Sequence, residues 1–176
     1  MQYMPYNNLK IVLSAEQIEK RTEELACDIS AEYRGKSLTV ICVLRGSFIF
    51  AADLLRRLTV DLYLDFMTVT RYGLKDKPGE LKILSDLKSS IEGKDVLIVE
   101  DIIDEGVTLL QLKNLLLERG PASLKVCTIF DKPERRCVSV SGDFVGFSLP
   151  DIFVVGYGLD YKQKYRNLPF LAAEAE

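Results

Sequence analysis

VLIVEDIIDEGVTL, Val96 to Leu109, reads as a buried strand running through a paired-acid turn into a glycine-containing loop and then a leucine-rich helix. Val96 to Val99 are apolar without alternation, the pattern of a strand covered on both faces in the middle of a parallel sheet. Glu100 and Asp101 follow at once. In sheets of this kind ligands collect beyond the carboxyl ends of the strands, so the two acids stand where a substrate would lie. Gly106 permits backbone angles that aim successive amides into one concavity, and Thr108 adds a hydroxyl near the start of a helix expected to run through Leu117. Acids for a sugar's hydroxyls beside amides for its phosphate point to a phosphorylated ribose. Taken alone, Glu100 and Asp101 read equally well as solvated acids at a strand end or as acids favoured by the helix dipole. Asp104 weakens that plainer reading. Capping needs one such side chain, and three carboxylates together repel, so a compensating cation such as Mg²⁺ is expected.

Outward from this stretch the pattern is alternating strand and helix. Ser14 and Gln17 form a capping-box pattern, Ile18, Leu25 and Ile29 share one helical face, and Gly35 closes the segment. Leu38 to Leu44 reads as a continuous buried strand, Arg45-Gly46-Ser47 as a turn and Phe48 to Leu58 as a helix, half of a βαβ unit. Val60 to Val69 is rich in β-branched and aromatic residues. The glycines, proline and charges of Arg71 to Glu80 then read as a mobile loop, and Leu81 to Leu84 resumes a hairpin. The helix after the central strand ends near Gly120-Pro121, and Leu124 to Phe130 is a further strand. After DKPERR, Asp131 to Arg136, the tail reads as an irregular hood rather than another βα repeat.

At 176 residues the chain is expected to be one domain. Hydrophobic residues at 48% and charged residues at 28% argue against disorder. No apolar run approaches the roughly 18 residues of a membrane span, and the N-terminus lacks the pattern of a signal peptide, so no membrane partner and a cytoplasmic location are expected. Cys27, Cys42, Cys127 and Cys137 are widely spaced without a CxxC pair. They read as buried free thiols rather than disulfides or ligands. The chain has no histidine, which removes Ser-His and Cys-His nucleophile pairs and histidine-ligated metals. Carboxylates, lysines and tyrosines are left for proton chemistry. A net charge of −3 gives no global attraction to nucleic acid, so no nucleic-acid partner is expected.

Four ordered blocks carry a resemblance. VLIVEDIIDEGVTL, VLRGSFIFAADLLR, DKPERR and DFVGFSLPDIFVVGYGLDY together resemble the purine phosphoribosyltransferases, specifically the bacterial hypoxanthine and guanine enzymes, over nearly the whole chain. The resemblance implies an α/β fold of type I: a central parallel sheet flanked by helices, with a small hood from residues of about 1–15 and 131–176 and a mobile loop at about 70–80. It implies transfer of ribose 5-phosphate from phosphoribosyl pyrophosphate to N9 of hypoxanthine or guanine, giving IMP or GMP and pyrophosphate, with Mg²⁺ and a homodimeric or homotetrameric assembly.

Roles are implied residue by residue. The acids matching Glu100 and Asp101 hold the ribose hydroxyls, directly or with Mg²⁺. Asp104, Glu105, Gly106, Val107 and Thr108 wrap the 5′-phosphate, and Asp104 approaches the purine N7 as proton acceptor. Glu105 departs from the family's usual Thr or Ser, and its side chain is expected to turn outward while its amide serves. Leu44, Arg45 and Gly46 match the pyrophosphate loop, whose first peptide is commonly cis in the family, and Arg166 matches an arginine on the same side. Arg71 and Tyr72 match the closing loop, although Arg71 replaces a usual Ser. Lys132 matches the lysine that donates to a 6-oxo group, Phe153 the ring stacked on the base, and Val154 a backbone reader of its edge. Asp160 matches a second metal and base contact. Read without the resemblance, Leu44 to Gly46 is an ordinary strand-to-helix turn, Lys132 a solvated charge, Phe153 a core residue and Arg166 a surface ion pair. The competing function is a regulator that senses phosphoribosyl pyrophosphate and binds RNA or DNA through a local Arg45, Arg56, Arg57 cluster. A dinucleotide-dependent dehydrogenase is disfavoured because no GxGxxG follows a strand.

Overall fold

Ser14 opens the first helix as the sequence pattern predicts: its hydroxyl accepts the N–H of Gln17, and the Gln17 side chain accepts the N–H of Ser14. The computed structural model of the chain describes residues 9–72 and 79–174. Helix α1, Ala15–Glu32, buries Ile18, Leu25 and Ile29. Gly35, at φ +76°, then turns the chain into a strand. Strand β1 is Leu9–Leu13 and β2 is Ser37–Leu44, followed by α2, Phe48–Leu55. The helix is shorter than the Phe48 to Leu58 expected, because the N–H groups of Arg57 and Leu58 bond to the carbonyls three residues back and close it in a turn.

Strand β3, Asp61–Tyr72, and β4, Glu80–Ser85, form an antiparallel hairpin. β5, Asp95–Ile103, leads through α3, Val107–Leu117, to β6, Ser123–Asp131. A short 3₁₀ turn, Pro133–Arg135, precedes β7, Phe144–Ser148, and β8, Val154–Val155, and β9, Leu171–Glu174, complete the chain. The main sheet has six strands in the order β4-β3-β2-β5-β6-β7, with only β4 antiparallel to its neighbour. This is the flanked, mostly parallel sheet the sequence predicts. Val40, Cys42, Leu97 and Val99 pack on one face with Ile18, Leu25, Phe50 and Leu54 of α1 and α2. Ile41, Val43, Val96 and Ile98 pack on the other with Leu109, Leu112 and Leu116 of α3. Burial on both faces explains why these strands lack alternation.

β1, β9 and β8 form a separate antiparallel sheet, the expected hood. Two boundaries differ from expectation. Phe144–Ser148 belongs to the main sheet rather than to the hood, pairing in parallel with β6 and receiving Arg21 of α1 on the carbonyls of Val145 and Gly146. β5 continues through Glu100 and Asp101 to Ile103, so the acids lie on a strand and not in a turn. Its pairing with β2 stops at Val99, whereas pairing with β6 continues to Ile103. β2 therefore parts from β5 where the sheet changes direction. That switch point is where open α/β sheets bind ligands.

Candidate active site

The parting of β2 from β5 opens a cavity of about 410 Å³ walled by Val43 to Gly46 on one side and Glu100 to Leu109 on the other. The Leu44–Arg45 peptide is cis. Gly46 lies directly against an acid: a Cβ there would fall 1.4 Å from Asp101 Oδ2. Behind it, a Cβ on Gly158 would fall 2.0 Å from the Gly46 carbonyl oxygen, and Gly158 is at φ +100°. Three segments distant in sequence thus meet with no room for a side chain at either glycine.

Glu100 and Asp101 sit on the floor of this cavity, each half-buried. Burial pushes the Glu100 carboxyl well above its ordinary range, and the neighbouring Asp101 charge adds to the rise. Burial likewise raises Asp101 to about 6, although the N–H groups of Ile102 and of its own residue and the Arg166 cation pull it down. The Ile102 N–H donates to Asp101 Oδ1 at 2.7 Å. Adjacent carboxylates with little positive charge beside them suit a hard divalent cation that takes one or two carboxylates and completes its shell with substrate oxygens. Among the described residues no group of three or more ligand-type side chains forms an all-protein cage, and such a cation requires none. Asp160 is committed elsewhere: it pairs with Arg166 at 2.6 Å and accepts the Gln163 N–H at 2.7 Å. Arg166 also donates to the Gly158 carbonyl at 2.7 Å, which places both residues behind the Gly46 loop.

Gly106 caps α3 at φ +84° with no side-chain cap, so the first-turn amides receive no acceptor from the cap residue. Its missing Cβ makes room for Arg136 Cδ and Val140 Cγ1, each 2.7 Å from where that atom would be. Glu105, Val107 and Thr108 line the cavity with it.

Lys132, Phe153 and Val154, expected to bind the base, are not among the residues that line the cavity, although Lys132 is bonded to Ile103, which is. Lys132 is only 6% exposed. Its ammonium donates to the Ile152 carbonyl at 2.6 Å and its N–H to the Ile103 carbonyl at 2.9 Å. A lysine ammonium has three protons, so donors remain for a ligand. Phe153 is 56% exposed and therefore not a core residue; it meets Tyr161 edge-on with centroids 5.8 Å apart. Val154 is buried at the start of β8.

Several residues sit otherwise than the sequence suggests. Asp104 is the third acid of a group for which a compensating cation such as Mg²⁺ is expected, and the cation beside it is Arg135, whose Nε lies 2.5 Å from Asp104 Oδ1. Arg136 donates to the Asp104 carbonyl and to Asp131. Neither arginine stands out in the sequence, although the need for a cation near three acids is visible there. Arg71 and Tyr72 belong to β3 rather than to a loop. Glu80, at the other end of that expected loop, starts β4, and residues 73–78 lie outside the described residues. Cys42 and Cys127 are buried free thiols, but Cys27 and Cys137 are exposed. The Arg45, Arg56, Arg57 cluster is not a free basic patch, since Arg56 pairs with Asp53 and Arg57 with Glu19 and Glu23. Among the described residues no helix is long and apolar enough to cross a membrane.

Known proteins share this architecture and sequence. A model of the phosphoribosyl transferase domain matches residues 8–162. The hypoxanthine-guanine phosphoribosyltransferase of Bacillus subtilis is 45% identical over 169 residues, 96% of this chain and 94% of that protein. The hypoxanthine phosphoribosyltransferase of Escherichia coli is 46% identical over 168 residues, 94% of each chain. A crystal structure of a hypoxanthine phosphoribosyltransferase from Staphylococcus aureus aligns with a TM-score of 0.94 at 42% identity, covering 99% of this chain and 96% of that one.

Proposed function

Because the chain belongs to the phosphoribosyl transferase family, and within it to the hypoxanthine-guanine phosphoribosyltransferases of purine salvage, we propose that the cavity between β2 and β5 is where it transfers phosphoribosyl to a 6-oxopurine. The substrates are phosphoribosyl pyrophosphate with hypoxanthine or guanine, and the products are IMP or GMP and pyrophosphate. One observation carries the assignment of the site. The acid pair, the uncapped start of α3 and the Gly46 loop converge on one cavity, with Lys132 anchored to the Ile103 carbonyl at its border.

Glu100 and Asp101 bind the ribose hydroxyls, and the amides of Glu105 to Thr108 bind the 5′-phosphate. Leu44, Arg45 and Gly46 receive the pyrophosphate, with Arg166 supporting that side. Glu100, Asp101 and Asp160 would hold Mg²⁺, which would neutralise charge on the pyrophosphate leaving group. Lys132 donates to the 6-oxo oxygen, which favours oxopurines over adenine, whose amino group is itself a donor. Phe153 stacks on the base and the Val154 backbone reads its edge. N9 attacks C1′ as the bond from C1′ to the pyrophosphate oxygen breaks, and the proton on N7 passes to Asp104. Tyr72, with Arg71, belongs to the segment that excludes water from the ribosyl cation-like centre. The single catalytic unit works in the cytoplasm as a homodimer or homotetramer.

Turnover of phosphoribosyl pyrophosphate and Mg²⁺ with hypoxanthine, guanine, xanthine or adenine tests the reading. Hypoxanthine and guanine should be converted and adenine not, and Asp104→Ala should lower kcat by about a hundredfold or more. Tight binding of phosphoribosyl pyrophosphate with no turnover of any base would instead favour the sensor.

A further inference from the structure

Arg135 stands between two carboxylates. Its Nε holds Asp104 Oδ1 at 2.5 Å, and its Nη1 reaches Asp151 Oδ1 at 3.1 Å and Oδ2 at 3.4 Å. Asp151 lies two residues before Phe153, and Arg135 itself lies three after Lys132, so one guanidinium joins the three segments that border the base. Next to it, Arg136 fixes the main chain of Asp104 through its carbonyl. The Asp104 carboxylate is thus gripped through Oδ1, which leaves Oδ2 to face a ligand.

This ion pair is a poor device for stability. The side chains of Arg135 and Asp104 are 38% and 44% exposed, and pairs that open to water contribute little. What the pair does impose is direction. A carboxylate held through one oxygen by a planar guanidinium, itself anchored on a second acid, loses freedom to swing and presents its other oxygen along a fixed line. A general base with an orienting partner on its far side is the arrangement that proton transfer needs.

We propose that Arg135 is a positioning residue for the transfer reaction, holding Asp104 Oδ1 so that Oδ2 faces the imidazole edge of the purine. The proposal rests on Asp104 being the proton acceptor. Steady-state kinetics with hypoxanthine and phosphoribosyl pyrophosphate on Arg135→Gln, Asp104→Asn and the double variant test both together. Arg135→Gln should lower kcat roughly tenfold to a hundredfold, with KM for phosphoribosyl pyrophosphate within about twofold. In the Asp104→Asn background the same substitution should cost almost nothing further. Asp151→Asn, on the far side of the guanidinium, should show a smaller loss with the same dependence on Asp104, and it carries the test if the arginine variant does not fold. Equal losses in the wild-type and Asp104→Asn backgrounds would overturn the role of Arg135 alone, as would a rise in KM at unchanged kcat. Should Asp104→Asn leave kcat intact, the proton-acceptor reading falls and this inference falls with it.

Discussion

Glu100 and Asp101 are placed where charge is costly, and the cost has a measurable sign. Burial raises Asp101 to about 6, above the roughly 3.9 of an unfolded aspartate. As pH rises from about 4 to 6 the unfolded chain therefore gives up its proton first, and the folded state loses relative stability over that window. Above it the penalty remains, on the order of 2 kcal/mol once screening by the water that reaches a half-buried carboxylate is allowed for. In metal-free buffer, Asp101→Asn should raise the thermal midpoint at pH 7.5, and the gain should shrink towards zero at pH 4. A variant that is destabilised equally at both values would show that the acid is not strained by burial. The same substitution should abolish productive binding of phosphoribosyl pyrophosphate, which separates stability from function at one residue. These acids are legible in the sequence because they end an apolar block. Arg135 is not, because a guanidinium in a polar run looks solvated until Asp104 and Asp151, sixteen residues away in one case, are brought beside it.

Among the elements, β2, β5 and β6 are legible because each carries a buried and largely apolar stretch without strict alternation. β7 is obscured by Gly146, which reads as a breaker. In the fold its missing side chain is the reason the strand can pair: a Cβ there would lie 2.4 Å from the Ile129 carbonyl oxygen of β6. The meeting of the β2–α2 turn with β5 and the hood cannot be read from spacing at all, since Gly46, Asp101 and Gly158 come from three distant segments. Gly46→Ala has nowhere to put its methyl without displacing the Asp101 carboxylate, so KM for phosphoribosyl pyrophosphate should rise by at least about tenfold, equivalent to about 1.4 kcal/mol. Thermal stability should fall less than the binding does. Retention of wild-type affinity would mean that the loop can move off β5 freely and that the close approach is not part of the site.

At the scale of the whole molecule, an apolar surface on β3 is left without cover. In the parallel pairing of β2 with β3, Val40 faces the same side as Leu64 and Cys42 the same side as Phe66. Val40 and Cys42 are buried under α1 and α2, but this cover gives out on the neighbouring β3. Leu64 and Phe66 are 42% and 45% exposed, and Phe48, at the start of α2 on that side, is 44% exposed. Clustered aromatic and aliphatic side chains of this kind are what a stable interface is built from. Phe48 lies two residues after Gly46, so assembly through the patch would brace the proposed pyrophosphate loop from outside. Leu64→Glu with Phe66→Glu should convert the proposed homodimer or homotetramer to monomers in light scattering, because two buried carboxylates would have no partner across the contact. It should also raise KM for phosphoribosyl pyrophosphate more than KM for hypoxanthine, whose proposed site is at Asp104 and Lys132 instead. An unchanged mass would move the contact to another face, and a monomer with unaltered KM would leave the loop braced only by Asp101 and Gly158 from within.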